Sequence, residues 1–270
     1  MTRNRRRFIK TSQKIKNNTM DHVALVKKVF KENFLRELTE EEASDIAKRM
    51  ISQTRESFSS IEGFTEEKFQ EYISKNLILV FSPSAVNTEI KKIIDTIGIE
   101  TLENSPKYKR LSEMNNAVCL ALALKKVFNE EWMIKAQDYP DIVLVKKNSR
   151  SFNEKHLDAV MLEIMEIPEN ARANLGNDIE LGIAEFIKKK KFNKRYEGIP
   201  HLLVHLNINQ LALNLKRVSE LLNSFSANPF HQIWVRSNAD PNSQIMGISL
   251  LTPEFHQTKI DFVNDRDLYF

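Results

Sequence analysis

Two carboxylates in apolar parts of the chain could together hold a divalent cation. Asp141 follows Pro140 and opens the apolar run 142–145, and Glu163 stands inside a second apolar run, residues 160–165. A carboxylate within such an apolar strand is costly to bury unless something positive lies against it. Mg²⁺ binds to a few carboxylates, and such an ion assists phosphodiester hydrolysis. We therefore expect Asp141 and Glu163 to bind Mg²⁺ or Mn²⁺.

Both carboxylates also have a purely structural interpretation. Asp141 can be a residue that simply begins a strand. Glu163 can be paired with an arginine or a lysine, because buried charges are usually paired. The sequence leaves this alternative open.

The hydrophobic pattern predicts the elements that would position these residues. We expect a basic, disordered tail over residues 1–19, a helical N-terminal region over residues 20–104, and a sheet domain over residues 105–270. Within the sheet domain, a long helix precedes three strands, a helix and a fourth strand. These elements are predicted at residues 107–129, 132–136, 141–146, 157–167, 177–191 and 199–207. A helix near 209–224 and strands near 231–236 and 245–251 follow. The predicted class is α/β with a mixed sheet.

Composition limits the class of protein. The single cysteine, Cys119, excludes an internal disulfide and a thiolate zinc cluster, which favours a cytoplasmic location. No apolar run is long enough to cross a bilayer, so no membrane partner is expected. The net charge is +4, and lysines cluster at residues 188–191. That cluster can contact phosphates, or it can be the solvated end of a helix.

The Pro140-Asp141 pair, Glu163 and the α-β-β-β-α-β order resemble the PD-(D/E)XK nuclease superfamily over roughly residues 107–208. The resemblance implies a restriction-endonuclease-like fold and an endonuclease that hydrolyses DNA, of restriction or defence type. It implies that Asp141 and Glu163 are metal ligands. Many members add a glutamate from the preceding helix, and Glu113 stands where that third ligand could be.

The chain departs from the superfamily pattern at one position. A lysine is expected two residues after the glutamate, where it would position and activate the attacking water, but Met165 stands there. Lys188 on the following helix is a candidate replacement, and Lys146 and Lys147 are others.

The departure keeps other functions open. The domain can be a catalytically inactive nuclease-like fold that binds nucleic acid or a protein partner. It can also be an interaction subunit, which an exposed apolar stripe on residues 23–51 would indicate. RNA is the alternative substrate to DNA, and paired cuts across a duplex would call for a homodimer.

Overall fold

The structure, a computed structural model, describes most of the chain. The described residues are 21–59, 62–76, 79–98, 101–102, 105–136, 142–147, 159–196, 198–207, 213–238 and 245–261. The predicted tail at residues 1–19 and the predicted ligand Asp141 lie outside these ranges. Contacts divide the described residues into two compact units, which part between Leu79 and Val80. The domain boundary expected after residue 104 stays a prediction, although residues 80–98 group with the sheet.

The first unit is helical where the structure describes it. Its helices are α1 (His22–Phe34), α2 (Glu40–Ser59) and α3 (Glu66–Asn76). The N–H of Thr39 donates to Glu42 Oε2 at 2.9 Å, and the N–H of Glu42 donates to Thr39 Oγ1 at 3.2 Å. This reciprocal pair satisfies backbone donors that the first turn of α2 cannot pair internally. This capping box therefore fixes the start of α2.

The second unit contains the sheet. Its helices are α4 (Pro83–Ile97), α5 (Lys109–Phe128), α6 (Ile179–Ile187) and α7 (Leu215–Ser224). Its strands are β1 (Val80–Phe81), β2 (Trp132–Ala136), β3 (Ile142–Lys146), β4 (Ala159–Ile167), β5 (His201–Leu206), β6 (Ile233–Asn238), β7 (Ile245–Thr252) and β8 (His256–Asp261). In the ranges that the structure describes, no helix is long and apolar enough to cross a membrane.

The described strands form an eight-stranded sheet whose spatial order follows the chain from β1 to β8. Neighbours from β1 to β4 are antiparallel, β4, β5 and β6 are parallel, and β6 to β8 are antiparallel again. A parallel pair needs a crossover, and α6 lies in the crossover between β4 and β5. The predicted α/β class with a mixed sheet is confirmed.

Helices cover both faces of the central strands. Met165 and Ile167 of β4 pack in one buried cluster with Ile183 of α6 and Val218 of α7. Val235 of β6 belongs to the same cluster.

The opposite face is covered by α5. Arg236 follows Val235 in β6, so its side chain points to the other face. There, its Nη1 donates to Asn116 Oδ1 of α5 at 2.8 Å. The helix α5 and the pair α6 and α7 therefore lie on opposite faces of the sheet.

Candidate active site

Glu163 is buried at the centre of β4 and is paired with a lysine. Lys191 Nζ donates to Glu163 Oε1 at 2.5 Å and to the carbonyl oxygen of Ile164 at 3.2 Å. The two side chains are 11% and 9% exposed, respectively. Lys194 Nζ lies 3.9 Å from the same carboxylate oxygen and is itself more than half exposed. A positive group therefore lies against the strand carboxylate, as its burial requires.

One of four consecutive lysines in a single π-helical turn points inward. The turn spans Lys188–Phe192 and directly follows α6. Lys188 and Lys190 place their ammonium groups 4.3 Å and 5.7 Å from the ring centroids of Phe225 and Phe186. Lys191, in contrast, is buried, and its carbonyl oxygen accepts a hydrogen bond from the Tyr196 hydroxyl at 3.2 Å.

The lysine beside Glu163 differs from the one that the sequence singled out. Lys188 was predicted to assist, but its ammonium group lies on the Phe225 ring. Lys146 and Lys147 bind to Glu130 and Glu131 at 2.6 and 2.5 Å. Sequence reasoning missed Lys191, although a signal exists, because Lys191 follows Ile183 and Ile187 at four-residue spacing on the buried side of the helix.

Met165 faces the core rather than a polar site. Its side chain is buried in the cluster formed by α6, α7 and the central strands. It lies on the same face of β4 as Glu163, because residues two apart in a strand share a face. The position of the missing lysine is therefore occupied by a packing residue.

The structure does not bring Glu113 to Glu163. Glu113 lies on α5, which covers the face of the sheet opposite Glu163. Its carboxylate pairs with Lys109 at 3.4 Å and with Arg110 at 3.3 Å. Among the described residues there is no group of three or more histidine, cysteine or acidic side chains that could hold a metal ion. Of the predicted ligands, Glu163 lies in β4, Glu113 lies on α5, and Asp141 is outside the described residues.

A second buried polar group lies on the α5 face. His205 of β5 is 1% exposed, and neither ring nitrogen has a hydrogen-bond partner. Burial, together with the nearby Arg236 charge, lowers the pKa of His205 to about 3. A neutral imidazole is therefore expected there at neutral pH.

His201 lies four residues before His205 in β5 and packs elsewhere. Its ring centroid is 5.2 Å from that of His231. Burial, followed by the neighbouring His231, lowers the pKa of His201 to about 4. The two strand histidines thus have different neighbours.

Comparison with known proteins finds no matching family model, no matching curated protein and no matching solved structure. The assignment of function therefore depends on the site itself.

Proposed function

We propose that this chain is a metal-dependent endonuclease that hydrolyses phosphodiester bonds of DNA. One observation carries the proposal: a buried glutamate in a central strand is paired with a buried lysine, Lys191, from the helical segment that follows. Carboxylate and lysine are the residue types that the PD-(D/E)XK pattern requires. In this chain the lysine comes from the π turn after α6 instead of from β4.

The order of elements supports this proposal. From α5 to β5 the described elements run α-β-β-β-α-β, with β4 and β5 parallel. That is the order that the resemblance to the superfamily implies, and on it we base the finer, restriction-endonuclease-like assignment. Fold analogy alone does not establish an activity, so the site must carry the argument.

Strand register supports a role for Asp141 together with Glu163. Ile142 of β3 pairs with Leu162 of β4. Asp141 is bonded to Ile142, and Glu163 is bonded to Leu162. Asp141 and Glu163 are thus each one residue along the chain from a member of this pair, and consecutive Cα atoms of a chain are about 3.8 Å apart.

The carboxylate oxygens available as ligands suit Mg²⁺ or Mn²⁺. Mg²⁺ typically binds to one or two carboxylates and keeps several waters, so Asp141 and Glu163 would suffice as protein ligands. When bound, the cation neutralises charge on the phosphate and lowers the pKa of the attacking water. Glu113 is not part of this ligand set, because its helix lies on the other face.

Lys191 has two roles in this proposal. Its ammonium group holds the Glu163 carboxylate in one orientation through the 2.5 Å hydrogen bond. It also adds positive charge where the phosphate must bind. A lysine anchored in this way can position the attacking water.

The surroundings fit a polyanionic partner. Lys188, Lys189, Lys190 and Lys194 are exposed around the buried Lys191. Exposed lysines of this kind bind phosphates irrespective of sequence, so RNA is the alternative substrate. A homodimer and a cytoplasmic location belong to the proposal as well.

A second candidate is a nuclease-like domain without activity that binds nucleic acid or a protein partner. Met165 in the core favours it, and so does the occupation of Glu163 Oε1 by Lys191. The third interpretation, a helical docking subunit, required an exposed apolar stripe on residues 23–51. Among the described residues of that segment, Leu35 is the large hydrophobic side chain that is exposed, whereas Val26, Phe30 and Phe34 are buried.

Cleavage of supercoiled plasmid in Mg²⁺ or Mn²⁺ tests the proposal. We expect nicking by the wild type and its loss in Asp141→Ala. Lys191→Met should lower the rate by about 100-fold or more, since misplacing the attacking water by about 1 Å costs on this scale. Lys188→Met decides between the two lysines, and Lys216→Met, an exposed lysine on α7, serves as the matched control.

Calorimetry with the same ions separates the two candidates. Retained cleavage in Asp141→Ala would refute the nuclease site. The second candidate would be established if the wild type binds DNA but does not bind the ions and cleaves neither DNA nor RNA.

A further inference from the structure

Two histidines lie side by side where the parallel strands β5 and β6 begin. His201 is the first residue of β5, and His231 lies two residues before the start of β6. Their ring centroids are 5.2 Å apart, and the ring planes are tilted by 52°. Aromatic pairs favour offset-parallel or perpendicular arrangements, and this tilt is neither. Ring stacking alone therefore gives little reason for the two imidazoles to lie so close.

The backbone of the sheet fixes the two histidines relative to each other. The N–H of His231 donates to the carbonyl oxygen of Pro200 at 3.0 Å, and the N–H of Leu202 donates to that of Gln232 at 2.9 Å. These two hydrogen bonds lie on either side of His201. Side chains carried by strands are positioned more precisely than those carried by loops. The sheet therefore holds the two imidazoles as a preformed pair.

The separation of the rings agrees with that of two imidazoles on one metal ion. Zn²⁺ binds to an imidazole nitrogen at about 2.0–2.1 Å, usually in a tetrahedral arrangement. Such an ion lies about 3.2 Å from each ring centroid, which places the two centroids about 5 Å apart. The observed distance is 5.2 Å. One ion can therefore bridge the two rings without any change in their separation.

The pair is accessible, and its inner member is in the protonation state that a metal ion requires. His231 is exposed and His201 is partly buried, so an ion can reach both rings from solvent. Burial, and then the neighbouring His231, lowers the pKa of His201 to about 4. A metal ion binds to the neutral imidazole, so no proton competes for His201 at neutral pH.

Gln232 gives His201 the outer contact that metal-binding histidines usually have. The Gln232 side chain hydrogen bonds to the His201 ring, and its Oε1 accepts a hydrogen bond from Trp234 Nε1 at 3.0 Å. A metal-binding histidine typically donates its second ring N–H to such a group, which fixes the tautomer and the ring orientation. With one ring nitrogen of His201 engaged by Gln232, the other is left for an ion.

We propose that His201 and His231 together bind one Zn²⁺ ion, with water completing the coordination. Imidazole nitrogen suits Zn²⁺, Cu²⁺ and Ni²⁺, whereas Mg²⁺ prefers oxygen ligands. Two protein ligands hold an ion less tightly than the three or four of most zinc sites, and they leave positions open to water. The bound ion would join the start of β6 to the start of β5. The proposal is independent of the nuclease site, whose ligands are carboxylates.

Calorimetric titration of the untagged full chain with Zn²⁺ tests the proposal. We expect the wild type to bind Zn²⁺, and His231→Ala to weaken this binding at least tenfold. Loss of an outer partner alone costs about 10–100-fold in metal affinity, and loss of a ligand should cost no less. His231 is exposed, so its removal should leave the fold intact. His256→Ala, which removes another exposed histidine, is the matched control and should bind like the wild type.

Fluorescence of Trp234 reports where the ion binds. Cu²⁺ binds to nitrogen ligands more tightly than Zn²⁺ and quenches a nearby indole. Trp132→Phe leaves Trp234 as the single tryptophan, and its ring is 1% exposed, so ions in solution should quench it little. We expect Cu²⁺ to quench Trp132→Phe at concentrations that leave Trp132→Phe combined with His231→Ala bright. Equal quenching of the two variants would place the ion elsewhere and overturn the proposal.

Two further results would overturn the proposal. One is the absence of Zn²⁺ binding by the wild type, and the other is Zn²⁺ binding that His231→Ala leaves unchanged. Excess Mg²⁺ should not displace Zn²⁺ from the histidine pair, because Mg²⁺ prefers oxygen ligands. Asp141→Ala should keep the binding event that His231→Ala loses, which separates this site from the nuclease site.

Discussion

Replacing Lys191 by methionine removes the cation that faces Glu163 but keeps most of the aliphatic volume. The carboxylate then remains in β4 with only Lys194, 3.9 Å away and largely in solvent. Breaking a buried ion pair from one side costs about 3–5 kcal/mol, because the remaining charge stays buried. A half-exposed pair restores about 0–1 kcal/mol of this. We therefore expect Lys191→Met to lower the free energy of unfolding by about 2–5 kcal/mol.

The double variant isolates the pair from the rest of the site. Replacing both partners, Glu163→Leu with Lys191→Met, removes both buried charges. Such replacements are often neutral or stabilising by about 1–4 kcal/mol. We expect the double variant to be more stable than Lys191→Met, so that the effects of the single substitutions do not add.

Urea unfolding followed by tryptophan fluorescence is a suitable assay. Both tryptophans, Trp132 and Trp234, belong to the unit that contains the sheet, so the signal reports that unit by itself. Lys194→Met is the matched control and should change stability by less than about 1 kcal/mol. If Lys191→Met costs no more than Lys194→Met, the buried ion pair does not stabilise the fold and the reasoning fails.

Two further predictions concern buried positions outside this pair. The folded state keeps His205 neutral, with its pKa lowered from 6.5 to about 3, chiefly by burial. Only the unfolded chain binds a proton at this histidine as the pH falls below about 6.5, so acid destabilises the fold. Between about pH 7 and pH 5, we expect the free energy of unfolding of His205→Leu to fall by about 2 kcal/mol less than that of the wild type, as measured by urea unfolding. Equal losses would contradict the burial of a neutral ring, and the exposed His256→Leu is the control. Replacing a helical glycine by alanine usually stabilises a protein by up to about 1 kcal/mol, but a Cβ on Gly182 would lie 2.1 Å from the carbonyl oxygen of Leu175. We therefore expect Gly182→Ala to lower the thermal midpoint, and an increase would show that the contact relaxes freely.

Short-range signals lie within the local sequence. The Thr39 capping box and the Asp178 cap of α6 each act within three residues, so the local sequence contains both partners. Alternation and apolar runs located the strands of the central sheet for the same reason. The strand β8 was missed, because half of its residues are exposed at the edge of the sheet and Ile260 is the apolar residue in it, so it has no apolar pattern.

The candidate site was predictable only in part. Glu163 was identifiable because a carboxylate in an apolar strand needs a partner. The sequence shows both the carboxylate and the apolar run around it. The identity of that partner was decided by tertiary structure. Helical periodicity places Lys191 on the buried side of the helix with Ile183 and Ile187, but only the packing of that helix against the sheet brings Lys191 to Glu163. The sheet likewise separates Glu113 from Glu163, because a helix can pack on either face without any change in its local sequence pattern. Residue types and local periodicity are thus properties of the chain, whereas the pairing of Lys191 with Glu163 arises from the packing of α6 against the sheet.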